Sequence, residues 1–367
     1  MELSEIFKRV VVFAGILVLA GSLSAMGVYT PLIAISYVLL VFLGLAYFAT
    51  GIRRLLDIIV VLAAVVAVNA LAIHRLPPVT DEEALVLYAS FLLRHGVNPY
   101  TANLSKAYVM FPVFEPIVTV TLSPQYYVTV FGYPALYFEL VSLVFPHPQF
   151  LTVPVAFLLY LFLRKRGAEE AFFVMALVYA GYFGYFGYFF TAGSLAVVVL
   201  ALTIIALTLD DVYASLLLGL TGAILQYTLL YLPFIWKDNL RNPRRLVLTV
   251  ALPILTFLIP NAPYVSLHWI KSVFGFLTQP MANEGISVSL LNSIGVPVPY
   301  FVYTIAMLAM YIGLLIAYRP NTRWKWLMPA FLWLVSWRDL NYFSFYLAVW
   351  VISFWLRKDE PPKVRGL

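Results

Sequence analysis

Long apolar blocks alternate with short polar or basic punctuation along most of the chain. Val10–Met26 and Leu32–Ala49 come first, joined by Tyr29-Thr30-Pro31 and closed by Arg53-Arg54. Ile58–Ile73 follows, and then a polar stretch from His74 to about Gly132. Apolar character returns at Phe150–Leu163, Ala171–Phe189 and Leu195–Leu209, and again across Val212–Trp236 and Leu246–Ile259. A second polar stretch, Pro260–Pro299, precedes Tyr300–Tyr318, Trp326–Trp337 and Tyr342–Trp355. A spanning helix needs about 20 mostly apolar residues, so this pattern predicts an all-α polytopic transmembrane bundle of about 10–12 spanning or re-entrant helices. The whole chain, 1–367, reads as a single membrane domain.

Composition agrees with the pattern. Hydrophobic residues make up 63% and charged residues 11% of the 367 positions, with a mean hydropathy of +0.93. A soluble domain is about half apolar and about a quarter charged. The net charge of +6 is gathered in clusters between apolar blocks, which points to cytoplasmic loops and not to nucleic acid. Lys8-Arg9, Arg53-Arg54, Arg164–Arg166, Arg241–Arg245, Arg319–Lys325 and Arg357-Lys358 are all expected on the cytoplasmic side, together with both termini. The expected location is a plasma membrane of prokaryotic type. Both polar stretches then become external loops, 74–132 and 260–299. Parity leaves one conflict, because Asp210 and Lys237 would both be inside with a single apolar block between them. Val212–Trp236 must therefore go in and return as two short helices, breaking near Gly222 and Gln226, which is tolerated only where protein or water surrounds the backbone.

The first external loop has its own texture. Leu85, Tyr88, Leu92 and Phe91 share a helical face within Ala84–Arg94, which reads as a helix lying along the membrane surface. Tyr108–Leu122 has strand character, with Val118, Val120 and Leu122 alternating with Thr119 and Thr121. A Ser123-Pro124 turn and Gln125–Phe131 would complete a β-hairpin. Tyr133-Pro134-Ala135-Leu136 then starts a helix back toward the bilayer.

Two constellations carry candidate chemistry. Thr80 and Glu83 fit a capping box that opens the loop helix. Asp81 and Glu82 add more acid than a cap requires, and a carboxylate at the membrane face can take a proton from a hydroxyl. Arg338, Asn341, Tyr342 and Phe345 fall at helical spacings between the last two spans. The plain reading there is an Arg338–Asp339 pair at a helix end. The functional reading is a bidentate anion site for a lipid phosphate. The four histidines are scattered with no ligand spacing, cysteine is absent, and no nucleotide-binding glycine motif occurs.

The order of these pieces resembles the GT-C class of membrane glycosyltransferases, above all the mannosyltransferases that use polyprenyl-phosphate sugars. The likeness rests on Asp81-Glu82-Glu83, Tyr88, Gly96-Val97-Asn98-Pro99-Tyr100 and Tyr133-Pro134-Ala135-Leu136. It continues through Gly219-Leu220, Tyr231-Leu232-Pro233 and the aromatic run Asn341–Tyr346. It covers roughly residues 70–356, so 55–356 would be the GT-C-like core and 1–54 two extra N-terminal spans. The departures are those extra spans, a longer outer loop, and Gln226 where the family segment carries a lysine. The resemblance implies inverting transfer of mannose or another hexose from a polyprenyl or dolichyl phosphate to a hydroxyl of a glycan, protein or lipid acceptor. Asp81 would be the base and Glu82 a positioning group. Arg338 with Tyr342 would hold the phosphate, and Asn341, Tyr100 and Tyr133 would line the substrate site. Some members use a divalent metal and others none; no metal site is evident here.

Two rival classes remain open on sequence alone. A lipid-linked-sugar transporter or flippase would carry buried polar residues within its spans and internal repeats; Asp57 and Glu139 lie only near the ends of apolar runs, and no repeat is visible. A non-catalytic membrane partner would keep the fold and be indifferent to Asp81→Asn.

Overall fold

The computed structural model describes residues 3–24, 31–73, 81–112, 119–121, 132–180, 195–274, 281–283, 300–318, 352 and 355–356. The chain divides into two compact units, one from residues 1–75, 149–191 and 347–367, the other from 76–148 and 192–346. Among the described residues, Ser4–Leu23, Pro31–Thr50, Arg54–Ala72 and Pro243–Tyr264 are long and apolar enough to cross a membrane. At 1.5 Å per residue a 20-residue helix is about 30 Å long, the thickness of a bilayer's hydrocarbon core. The protein is helical and a membrane protein. The remaining predicted spans are shorter in the described residues or fall outside them.

The first unit contains α1 (Leu3–Ser24), α2 (Pro31–Thr50), α3 (Arg54–Ile73), α7 (Gln149–Lys165) and α8 (Glu169–Ala180). α1 packs on α2, α3 and α8, and α3 packs on α7. Apolar side chains in lipid gain little by meeting each other, so close contact and polar pairs must hold such helices. Here the polar pairs gather at one end. Glu169 and Glu170 open α8, where a helix N-terminus favours acid. Lys8 Nζ lies 2.6 Å from Glu170, Tyr47 Oη donates to the same carboxylate at 3.0 Å, and Arg53 reaches Glu169 at 3.2 Å. Alongside, Arg164 grips Asp57 with two nitrogens at 2.5 and 2.8 Å, and Tyr160 Oη donates to Asp57 at 2.7 Å. Thus three of the basic clusters expected on one side converge at one end of this unit.

The second unit contains α4 (Asp81–Arg94), α5 (Ala107–Met110), β1 (Thr119–Thr121), α6 (Ala135–Leu143), α9 (Ala196–Leu207) and α10 (Asp211–Gly222). α11 (Leu232–Asn239), α12 (Pro243–Asn261), α13 (Leu267–Phe274), β2 (Met281–Asn283) and α14 (Tyr300–Ala317) complete it. The apolar block 212–236 is indeed broken. α10 ends at Gly222, a 3-10 turn runs over Gln226–Tyr231, and α11 follows. Asn239 Nδ2, at the end of α11, donates to Asp211 at the start of α10 at 2.9 Å. The segment therefore leaves and returns to the same end. Arg245 closes that end on Asp210, and Lys237 Nζ donates to Leu315 O and Ile316 O at 2.7 and 2.9 Å, satisfying the last carbonyls of α14. α10 lies close along α12, and a Cβ on Gly219 would fall 2.4 Å from the Pro253 backbone, so only glycine fits there.

Two expectations change. α4 has the predicted apolar face, with Leu85, Tyr88 and Leu92 packed on Leu104 and Ala107. It is not a helix lying on a surface, however, because residues 83–90 are all buried. Its opposite face, Glu83, Val86, Leu87 and Ser90, is enclosed too. The outer strand exists at Thr119–Thr121, but it pairs antiparallel with Met281–Asn283 of the second polar stretch. Tyr108–Met110, expected in the strand, is helical. The Gln125–Phe131 half of the expected hairpin lies outside the described residues.

Replacing Glu170 by Leu should destabilise the protein by about 2 kcal/mol, because the buried Tyr47 hydroxyl loses its acceptor; denaturant unfolding in detergent measures it. At Asp210 burial works against ionisation, but the Arg245 hydrogen bond, the Val212 N–H and the Arg245 charge outweigh it and keep the carboxyl below its ordinary value. A depressed folded pKa stabilises above the unfolded value and is lost as acid protonates the folded carboxylate. Stability should therefore fall below about pH 4, and Asp210→Asn should flatten that part of the profile.

Candidate functional site

At the opposite end of the second unit from the Asn239–Asp211 closure, four segments far apart in sequence are tied together. The first is Gly96–Tyr100. α4 stops where Gly96 takes φ +71°, a left-handed conformation that costs glycine nothing. Val97 N then bonds back to Leu92 O at 2.9 Å, the hydrogen bond of a glycine C-cap. Asn98 Oδ1 accepts from Tyr100 N at 2.9 Å, and with Pro99 this makes a tight turn that sends Tyr100 inward. Tyr100 is 2% exposed. Burial raises its pKa well above the ordinary phenol value, so at neutral pH it is a hydroxyl donor. It donates to Tyr133 O at 2.8 Å. Both residues were expected to line the substrate site, and the fold brings them into contact.

The second segment, Gly132–Ala135, is held from three sides. Pro134 occupies the N-cap position of α6 and has no side-chain donor or acceptor to offer. The cap comes instead from Asn261, whose Oδ1 accepts from Ala135 N at 2.8 Å. The same oxygen accepts from the Trp269 indole at 3.2 Å, and Asn261 Nδ2 donates to Phe257 O at 2.6 Å. Asn261 is fully buried. Gln226, in the break between α10 and α11, donates through Nε2 to Gly132 O at 2.7 Å and to Val273 O at 2.8 Å. Two carbonyls on Nε2 fix the orientation of that amide, and among the described residues Gln226 Oε1 is buried without a partner, as is the nearby Ser272 Oγ. The Tyr133 ring stacks on Tyr137 at 4.3 Å, and Tyr137 Oη accepts from Leu195 N at 3.1 Å.

α4 packs against α6, so the acidic start of α4 belongs to the same unit as this cluster. Asp81 and Glu82 form the first turn of α4; their side chains lie outside what the structure describes. Glu83 is buried. Arg338, Asn341 and Tyr342 lie outside the described residues, and so does Thr80. Sequence reasoning singled out Gln226 as a break point and as a departure from the family segment, but not as a tie to Gly132, and did not find Asn261, Trp269 or Tyr264. The visible signal was an amide closing an apolar helix after Pro260. Glu139 sits half-buried on α6; burial raises its pKa, opposed by the Tyr264 hydroxyl. Among the described residues no cluster of His, Asp and Glu could hold a metal ion.

Comparison with protein-family models, curated proteins and solved structures returns no match.

Chemically, the cluster offers phenol donors, one carboxyl group and aromatic faces around a rigidly tied backbone. Such a surface suits a ligand rich in hydroxyls. If Asn261 is the cap of α6, Asn261→Leu should cost about 3 kcal/mol, since it orphans the Ala135 N–H and the Trp269 indole N–H. Urea unfolding of detergent-solubilised protein would show the loss, and the near-ultraviolet tryptophan signal of the folded variant should change. An unchanged midpoint would remove Asn261 from this role.

Proposed function

We propose that the protein is a GT-C-like glycosyltransferase that moves mannose or another hexose from a polyprenyl or dolichyl phosphate to an acceptor hydroxyl at the outer membrane face, with inversion. The observation that supports it most is the Tyr100–Tyr133 contact. The Gly-x-Asn-Pro-Tyr and Tyr-Pro-x-Leu pieces of the resemblance are separated in sequence, yet Tyr100 Oη donates to Tyr133 O, and the helix headed by Asp81 packs on the helix that Tyr133-Pro134 opens.

In this reading Asp81 takes the proton of the acceptor hydroxyl as that oxygen attacks the anomeric carbon. The new carbon–oxygen bond forms as the bond to the phosphate oxygen breaks on the opposite face of the sugar. Glu82 positions acceptor or donor. Arg338, with Asn341 and Tyr342, carries the negative charge that collects on the departing polyprenyl phosphate, since a guanidinium can bind two phosphate oxygens at once. Partners are the membrane lipid, the lipid-linked sugar donor and a glycan, protein or lipid acceptor.

The test is transfer of radiolabelled sugar from a panel of polyprenyl-phosphate sugars in native lipid extract. Asp81→Asn should lower turnover by about 10²–10⁴-fold and Arg338→Ala by about 10²-fold, with both variants folded. Turnover indifferent to Asp81→Asn would refute the base assignment. Folded protein that transfers from no donor would favour a non-catalytic partner or a transporter of lipid-linked sugar.

A further inference from the structure

The first unit has a crevice in its side. α3 lines it with Val60, Ala63, Ala64 and Ala67 and α7 with Ala156 and Phe157, while α1 and α8 stand behind. The free space is about 30 Å³, at least twice the ~10–15 Å³ that a water needs. The lining is apolar, so water gains no hydrogen bonds there and a hydrocarbon group is the better occupant. Val60, Ala63 and Ala156 are buried, whereas Ala64 and Phe157 are half-buried. The crevice therefore opens outward between Ala64 and Phe157. Because α3 is long and apolar enough to cross a membrane, what lies outside that opening is lipid.

One end of the crevice is closed by charge. Asp57 lies one turn before Val60 on α3, and Tyr160 lies one turn after Ala156 on α7. The Asp57–Arg164–Tyr160 tie thus sits over this end. Asp57 takes Nε and Nη2 of Arg164, which leaves the Nη1 donors for another acceptor. Arg54 and Lys165 flank the tie, both exposed and neither in an ion pair among the described residues. Over the described residues of this unit, Lys8, Arg9, Arg53, Arg54 and Arg164–Arg166 face Glu5, Asp57, Glu169 and Glu170, so three positive charges are left over. At 1.5 Å per residue, Val60 to Ala67 lie about 9–20 Å along α3 from Arg54, the depth of acyl chains below a headgroup.

We propose that the first unit holds a phospholipid of acidic headgroup, with one acyl chain seated in the α3–α7 crevice and its phosphate held by Arg164 Nη1, Arg54 and Lys165. The phosphate offers the acceptors that these donors lack, and a guanidinium can bind two of its oxygens. The plain alternative is that the cations only mark the cytoplasmic side and that any lipid chain covers the gap. The two differ in whether chain position depends on headgroup charge.

The experiment is photo-crosslinking of the full-length protein in phosphatidylcholine nanodiscs. The probe is phosphatidylglycerol with a diazirine in its acyl chain, and phosphatidylcholine with the same chain is the comparison; mass spectrometry of peptides locates the adducts. Phosphatidylglycerol should label residues 60–67 and 153–157 about tenfold more than phosphatidylcholine does. Unlabelled phosphatidylglycerol should compete, and Arg54→Gln and Lys165→Gln should each weaken that competition about fivefold. Ala64→Phe, which fills the opening, should remove the adducts. Arg241→Gln, at an exposed position of the other unit, should leave them unchanged, and unfolding midpoints should show all variants folded. Equal labelling by the two lipids, adducts confined to other segments, or competition untouched by both charge variants overturns the proposal. Glycerol 3-phosphate carries the charge without the chain and should not compete; competition equal to that of the lipid would also overturn it, by leaving the crevice no part.

Discussion

Lipid offers no hydrogen bonds, so a chain this apolar must supply a partner for every backbone group that a helix end leaves open. The second unit meets that demand with single side chains reaching across from other segments. Asn261 caps α6, whose own N-cap is a proline. Gln226 takes the carbonyls of Gly132 and Val273. Lys237 takes those of Leu315 and Ile316. Each of these contacts both satisfies a helix end and fixes a long-range neighbour. The corner that carries the candidate chemistry is a consequence of those same contacts, since they hold Gly96–Tyr100, Gly132–Ala135, Gln226 and Asn261–Val273 in one place.

Charge organises the other ends. In the first unit, buried Glu169 and Glu170 are neutralised by Lys8 and Arg53, and Asp57 by Arg164. In the second, Asp210 and Asp211 are met by Arg245 and Asn239. Basic clusters that the positive-inside bias assigns to the cytoplasm are therefore also structural ties between helices.

Much of this was legible in the residues, and the reasons are local. Apolar block length located α1, α2, α3 and α12. Counting basic clusters required Val212–Trp236 to double back, and the break falls between Gly222 and Leu232. The spacing of Leu85, Tyr88 and Leu92 identified the apolar face of α4. What it could not reveal is that the opposite face, Glu83, Val86, Leu87 and Ser90, is enclosed as well. Period-two alternation marked Thr119–Thr121 as strand, but alternation names no partner, and Met281–Asn283 lies far away in sequence. Asn261 was invisible for the same reason, because its acceptor role depends on where Ala135 and Trp269 arrive in space. Tyr100 and Tyr133 were found through the motif resemblance, while the Asp81 and Glu82 side chains and Arg338, Asn341 and Tyr342 fall outside the described residues.

The central claim is that the Asp211–Asn239 segment returns to its own side, so that its two ends share one face of the membrane while the Tyr100–Tyr133 corner lies at the other. The chain has no cysteine, so single-cysteine variants give a clean background for accessibility labelling in sealed vesicles. Leu209, Leu240, Val97 and Val265 are exposed positions suited to it. Leu209→Cys and Leu240→Cys should react only with reagent on the cytoplasmic side, and Val97→Cys and Val265→Cys only from outside. Labelling of Leu209→Cys and Leu240→Cys from opposite sides, or of Val97→Cys from the same side as Leu240→Cys, would contradict it.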